Sequence, residues 1–169
     1  MATAALVLSV TVVWRTVHGR PSPQSLQQLY IGTWKFTSGE IKAGSGFPLT
    51  DKPTPDGTTT KSLLGHLAVV EVRDGVLWYS GEDRSCSHEL RVGDGKAEVL
   101  PDGKVECDAP TPDGGAQRTA SVRMSMVIDD QDRAHVSGEA RTLFEFKGQR
   151  RDVTFTYEGI AIRDVPPAK

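Results

Sequence analysis

Apolar and polar residues alternate with a period of two through most of this chain. Successive side chains of a β-strand point to opposite faces, so this alternation predicts strands with one buried and one solvated face. The runs are short and are separated by turn residues, as at Asp74-Gly75, which favours a tight hairpin. The 17 glycines and 10 prolines among 169 residues suit many strands and turns within one domain.

Taken in order, these runs predict an all-β domain over residues 31–165, followed by a tail over 166–169. Eight or nine strands in sequential hairpins are typical of an antiparallel up-and-down barrel. Closure of such a sheet removes its unpaired edges. A β-sandwich is the alternative layout. The segment 42–65 has no periodicity and is rich in Gly, Pro, Thr and Asp, which predicts a long surface loop.

The N-terminus has the features of an export signal. The apolar run from Ala4 to Trp14 is shorter than the roughly 20 residues that span a bilayer, and Val17 and Gly19 suit a cleavage site. We therefore predict a signal peptide over residues 1–19 and a linker or short helix over 20–30. The protein is expected to be exported to the periplasm or the medium, without stable membrane insertion. The alternative is a frayed strand or helix at the terminus.

The chain has two cysteines, Cys86 and Cys107. An even number in an exported protein favours a disulfide. Counting outward from the turn at Asp94, the bond requires residues 101–104 to bulge out of the hairpin. A metal site formed by Cys86, His88 and Cys107 is the alternative, but it lacks a convincing fourth ligand. We predict the disulfide and no metal.

The inward faces of the predicted strands carry most of the apolar bulk. The residues predicted to line a ligand pocket are Trp34, Phe36, Trp78, His88, Met124, Met126, Phe144, Phe155 and Tyr157. The small residues predicted to leave room on the same faces are Ser38, Gly138, Ala140, Gly159 and Ala161. On the strand ending at Ile128, Ala120 is predicted to face inward and Thr119 outward. Two interpretations stay open: a cavity for a small hydrophobic ligand, or an interior filled by its own side chains.

Trp34 stands near the start of the first strand, where its ring would plug one end of a barrel, and Gly32 lets the chain turn in without a Cβ clash. The opening SLQQLYIGTW resembles the lipocalin-like superfamily, in which a short helix leads into Gly-x-Trp. The resemblance implies that Arg163, at the end of the last strand, stacks on the indole. GTWKFTSG and the pair CSHEL and KVEC are also similar to small exported bacterial proteins of unknown function.

Composition and motifs argue against several classes of function. The 20 basic and 22 acidic residues are interspersed, so nothing indicates a nucleic-acid partner. We find no Ser-His-Asp order, paired carboxylates or phosphate-binding glycine loop, and therefore predict neither an enzyme nor a cofactor. The acidic turn over residues 129–132 is better explained by turn chemistry than by calcium binding.

The sequence therefore predicts an exported, non-enzymatic protein that binds a small apolar ligand or serves as an envelope or secreted structural module. The alternative is a protein-interaction module such as a periplasmic protease inhibitor. In that case the segment 20–28 or the loop 42–65 would contact the protein partner.

Overall fold

The computed structural model describes residues 23–44, 57–84, 86–100, 102–106, 108–110, 116–146 and 148–164. The predicted signal peptide, the tail and residues 45–56 of the predicted loop lie outside these ranges. The elements are α1 (Pro23–Gln28), β1 (Gly32–Ala43), β2 (Thr59–Ser62), β3 (Leu67–Arg73), β4 (Val76–Gly81), β5 (Ser87–Gly93), β6 (Lys96–Val99), β7 (Val105–Glu106), β8 (Asp108–Pro110), β9 (Ala116–Ile128), β10 (Arg133–Phe146) and β11 (Gln149–Arg163). Within the described ranges, no helix has the length and apolar character needed to span a membrane.

Eight of the strands hydrogen-bond in a closed antiparallel ring. The order is β1, β3, β4, β5, β6, β9, β10 and β11, and β11 pairs back with β1. The shorter strands are attached to this ring, with β2 on β1, β7 on β5 and β8 on β9. Consecutive ring strands are neighbours in space, so the prediction of an all-β antiparallel meander is confirmed.

The prediction that segment 42–65 is entirely loop is wrong at both of its ends. Strand β1 continues to Ala43, and β2 pairs with it from Glu40 opposite Ser62 to Ala43 opposite Thr59. The sequence of β2 is TTKS, and it contains no apolar residue that could show an alternation. Its pairing needs only backbone donors and acceptors, so the sequence pattern did not indicate a strand.

A bulge in β1 reverses the expected faces of the residues that follow it. Phe36 lies opposite Ala161, but Ser38 lies opposite Ile160, so Thr37 is an extra residue. Ser38 is therefore exposed rather than inward, and Ala43 is buried farther along the strand. Beyond such an insertion, counting in steps of two residues no longer gives the correct face of the strand.

A second bulge, in β9, reverses the expected faces of the residues that precede it. Arg141 of β10 lies opposite Ser121, whereas Thr142 lies opposite Thr119, which leaves Ala120 as the extra residue. Ala120 is exposed, contrary to the prediction, and Thr119 takes the inward position. The residues beyond the bulge, Val122 among them, keep the predicted faces and are buried.

One end of the ring is closed around Trp34, whose side chain is 1% exposed. Its indole Nε1 donates a hydrogen bond to the Tyr30 carbonyl at 2.9 Å, and the Arg163 guanidinium carbon lies 4.5 Å from the ring centre. Arg163 also donates from Nη1 to the Ile31 carbonyl at 2.6 Å and from Nη2 to the Leu29 carbonyl. The Tyr30 hydroxyl donates to the Gly95 carbonyl at 3.0 Å. The segment between α1 and β1 is thus tied to both β11 and the β5–β6 turn.

Gly32 has a conformation that this closed end requires. Its φ is 141°, which side-chain-bearing residues rarely adopt, and a Cβ there would lie 3.2 Å from Nη1 of Arg163. The glycine two residues before the tryptophan therefore leaves space for the guanidinium as well as for the turn of the chain.

We expect Arg163→Met to lower the free energy of unfolding by about 2 kcal/mol or more, because it removes the cation over the indole and the bonds to two carbonyls. Urea unfolding followed by tryptophan fluorescence measures the change. Arg150→Met is the matched control, since that side chain is 79% exposed and its ion pair with Glu145 lies at the surface. It should change stability by less than about 0.5 kcal/mol. Equal effects of the two substitutions would contradict the role of Arg163.

Candidate functional site

A cavity of about 430 Å³ lies inside the ring, away from the closed end. Two of its lining residues, Ile41 of β1 and Tyr157 of β11, lie opposite each other in the sheet. This pair is several residues along the two strands from the Trp34–Arg163 pair, which marks the closed end. The lining residues are Ile41, Leu63, Tyr79, Cys86, His88, Thr119, Val122, Ala140, Thr142, Phe144, Phe155 and Tyr157. The volume is within the range of small-molecule sites, roughly 300 to 1,000 Å³.

Four of the predicted pocket residues lie in this cavity, namely His88, Phe144, Phe155 and Tyr157. Four others pack instead into the hydrophobic core that fills the rest of the ring, and these are Trp34, Phe36, Met124 and Met126. The interior thus combines the two interpretations that the sequence left open: side chains fill one part, and the other part is a cavity.

Trp78 is the one predicted pocket residue on the outer face. Its neighbour Leu77 is in the core, so the alternation of β4 directs Trp78 outward, and it lies opposite Glu71 and Glu89 of the adjacent strands. The Arg73 guanidinium covers the indole at 4.4 Å from its ring centre, which leaves Trp78 only 7% exposed. The prediction that Trp78 lines the pocket is wrong because a buried aromatic does not have to face inward.

Tyr79 is not among the predicted pocket residues, although its side chain faces inward next to Trp78 and lines the cavity. The signal was present in the sequence, since Leu77 and Tyr79 share one face of β4. Ile41 and Thr119 were missed for a different reason, because the bulges in β1 and β9 change which residues face inward.

The glycines that were expected to leave room for a ligand instead leave room for the protein's own aromatic rings. A Cβ on Gly138 would lie 2.5 Å from the Tyr157 hydroxyl oxygen, and a Cβ on Gly159 would lie 2.8 Å from Cδ1 of Phe36. The space at both positions is therefore already filled. Of the predicted small residues, Ala140 lies in the cavity and Ala161 is in the core.

The cavity walls are mostly apolar but carry several hydrogen-bonding groups. The polar lining residues are Tyr79, Tyr157, Thr119, Thr142 and His88. His88 is buried, its Nε2 lies 3.3 Å from Sγ of Cys86, and its ring centre is 6.4 Å from that of Tyr79. A ligand could therefore place one polar group against these side chains and its apolar body against the rest.

Burial keeps the titratable lining groups neutral. It lowers the pKa of His88 from 6.5 to about 4, and it raises the pKa of Tyr79 to about 12. Burial also raises the pKa of Tyr157, with a further contribution from nearby Tyr79. The imidazole is thus deprotonated and both phenols are protonated around neutral pH.

Of the two cysteines in the predicted disulfide, only Cys86 lies among the described residues, and it is not a free cysteine. Cys107 lies outside the described residues. Between the pair Arg91–Glu98 and the pair His88–Val105, β5 advances three residues and the opposite side seven, so extra residues bulge out as the predicted bond requires. The bond itself stays a prediction. Among the residues that the structure describes, no group of His, Cys, Asp and Glu is arranged to hold a metal ion.

The acidic turn before β10 is organised around Asp129. Its carboxylate accepts hydrogen bonds from the backbone of Gln131 and Arg133, from Nε of Arg133, and from His135 at 2.9 Å. The bond to His135, followed by those to Arg133, lowers the pKa of Asp129 below its usual range. Turn geometry and an ion-pair network account for this carboxylate.

Comparison with known proteins gives no match: no family model, no curated protein and no solved structure is significantly similar to the chain. The site therefore has to be interpreted from its own geometry.

We expect acid to destabilise the fold through His88. The unfolded state binds a proton below about pH 6.5, whereas the folded state does not until about pH 4, so stability is lost as the pH falls through that window. The contribution of this group is on the order of 3 kcal/mol. Urea unfolding at about pH 7 and pH 4 should show a smaller loss for His88→Gln than for the unchanged protein.

His66→Gln is the control for this experiment, because His66 is exposed. It should leave the acid-induced loss unchanged. If the His88→Gln variant lost as much stability between about pH 7 and pH 4 as the unchanged protein, burial of a neutral imidazole would be contradicted.

Proposed function

We propose that this protein is an exported, non-enzymatic, lipocalin-like barrel that binds a small, largely apolar ligand. The observation that carries the proposal is the cavity of about 430 Å³, which has aromatic and aliphatic walls and a few convergent polar groups. Sites of that kind are the usual places where proteins bind small molecules. If the cavity binds no ligand, the remaining interpretation is a structural role in the envelope or as a secreted module.

Three features support the lipocalin-like description. The eight-stranded antiparallel ring gives the required closure, and helix α1 directly precedes the Gly-x-Trp of β1. Arg163 of the last strand lies over the indole of Trp34, as the resemblance implied. The proposed binding rests on the cavity and not on this resemblance.

The protease-inhibitor alternative has less support. Residues 23–28, which belong to one of the two segments expected to insert into a protease, form helix α1, which contacts β5 of the ring. The central part of the loop 42–65 lies outside the described residues. No described feature favours a protein partner over a ligand, so we propose the ligand.

Export is proposed from the apolar run in residues 1–19, and a disulfide between Cys86 and Cys107 would agree with it. Ser87 and Glu106, the immediate sequence neighbours of Cys86 and Cys107, lie opposite each other in the β5–β7 pair. We expect the exported protein to show no free thiol when titrated in denaturant without reductant, and two after reduction. Two free thiols before reduction would contradict the disulfide.

Ligand binding is tested by filling the cavity. We expect the delipidated protein to enhance the fluorescence of Nile red, an uncharged apolar dye, and Ala140→Phe to weaken dye binding about tenfold or more. The reason is that the added ring would occupy space inside the cavity. Dye titration measures the affinity, and thermal unfolding verifies that the variant is folded.

Ala120→Phe provides the matched control, because it adds the same ring to an exposed position of the neighbouring strand. It should leave dye affinity within about twofold. Absence of dye binding to the unchanged protein, or equal losses in both variants, would overturn the proposal.

A further inference from the structure

We infer that the cavity selects uncharged ligands, namely largely apolar molecules with a hydroxyl or carbonyl group, over ionised fatty acids and amines. This inference rests on the proposed function. Its basis is the composition of the cavity wall, since there is no Asp, Glu, Lys or Arg among the described lining residues.

Charged residues are close in sequence, but the strands direct them away from the cavity. Arg141 precedes the buried Thr142 and pairs with Asp152 on the outer face. Lys42 follows the lining residue Ile41 and pairs with Glu40 at 2.6 Å, with both side chains substantially exposed. The alternation that builds the ring thus separates an outer charged face from an uncharged inner one.

An ionised ligand would lose its hydration in this cavity without gaining a counter-ion. Moving an isolated carboxylate or ammonium group out of water is very costly unless it is paired. A hydroxyl or carbonyl group costs much less, and it would find hydrogen-bond partners in the hydroxyls of Tyr79, Tyr157, Thr119 and Thr142. Since the tyrosines are protonated and His88 is deprotonated around neutral pH, the titratable lining groups supply no charge either.

Competition among three ligands of equal chain length tests the inference. Decanol, decanoate and decylamine would each be titrated, below their aggregation limits, into the complex of the full chain with Nile red at about pH 7.5. We expect decanol to displace the dye at concentrations about tenfold or more below those of the two ions. Equal or stronger displacement by decanoate or decylamine would overturn the inference and leave the proposed function standing. Failure of Nile red to bind would overturn both.

A paired substitution places a cation on either side of the same strand. Thr119→Lys puts an ammonium group at the cavity, whereas Ala120→Lys puts it on the outer face one residue away. We expect Thr119→Lys to improve displacement by decanoate about tenfold and Ala120→Lys to leave it unchanged. Equal gains in the two variants would show a general effect of net charge and would contradict selection by the wall. If Thr119→Lys fails to fold, the three-ligand competition still decides.

Discussion

The guanidinium of Arg163 joins the end of the last strand to the segment before the first. It covers the indole of Trp34 and donates to the carbonyls of Leu29 and Ile31, which have no strand partners of their own. These carbonyls lie outside the strand ladder, so Arg163 supplies hydrogen-bond donors for them while its cation covers the aromatic face. With this end closed, a cavity can exist at the other end without giving up the hydrophobic core.

The interior is consequently divided into two parts with different roles. Around Trp34, buried side chains such as Leu77, Met126 and Ala161 pack together and supply most of the apolar burial. Farther along the same strands the walls separate, and Ile41, Phe155 and Tyr157 surround open space. The rings of Tyr157 and Phe36 fill the space next to the glycines at 138 and 159, so neither glycine enlarges the cavity.

The chemistry of the cavity follows from the same division. Tyr79, Tyr157 and His88 are removed from water by the walls, which keeps each in its neutral form around neutral pH. The charged partners of β10 and β11, such as Arg141 and Asp152, remain on the outside, where water and ion pairing stabilise them. A single strand can therefore present an uncharged wall to a ligand and a charged surface to solvent.

Side-chain alternation and turn residues were sufficient to predict the sequential order of the eight ring strands, the antiparallel meander and the inward faces of β10 and β11. These features are local, since they depend on a period of two and on short turns such as Asp74-Gly75. Gly-x-Trp was likewise enough to indicate the plugged end and, through resemblance, its cation.

The tertiary structure alone decided which residues form the cavity. The bulge at Thr37 changes the faces of the residues that follow it, and the bulge at Ala120 changes those of the residues that precede it. A bulge is set by strand pairing that leaves no periodic signal in the sequence. The same holds for Trp78, whose burial on the outer face depends on Arg73, and for Gly138 and Gly159, whose apparent space is filled by rings from neighbouring strands. Sequence patterns report the direction of a side chain relative to its own strand, whereas a cavity depends on what the neighbouring strands place there.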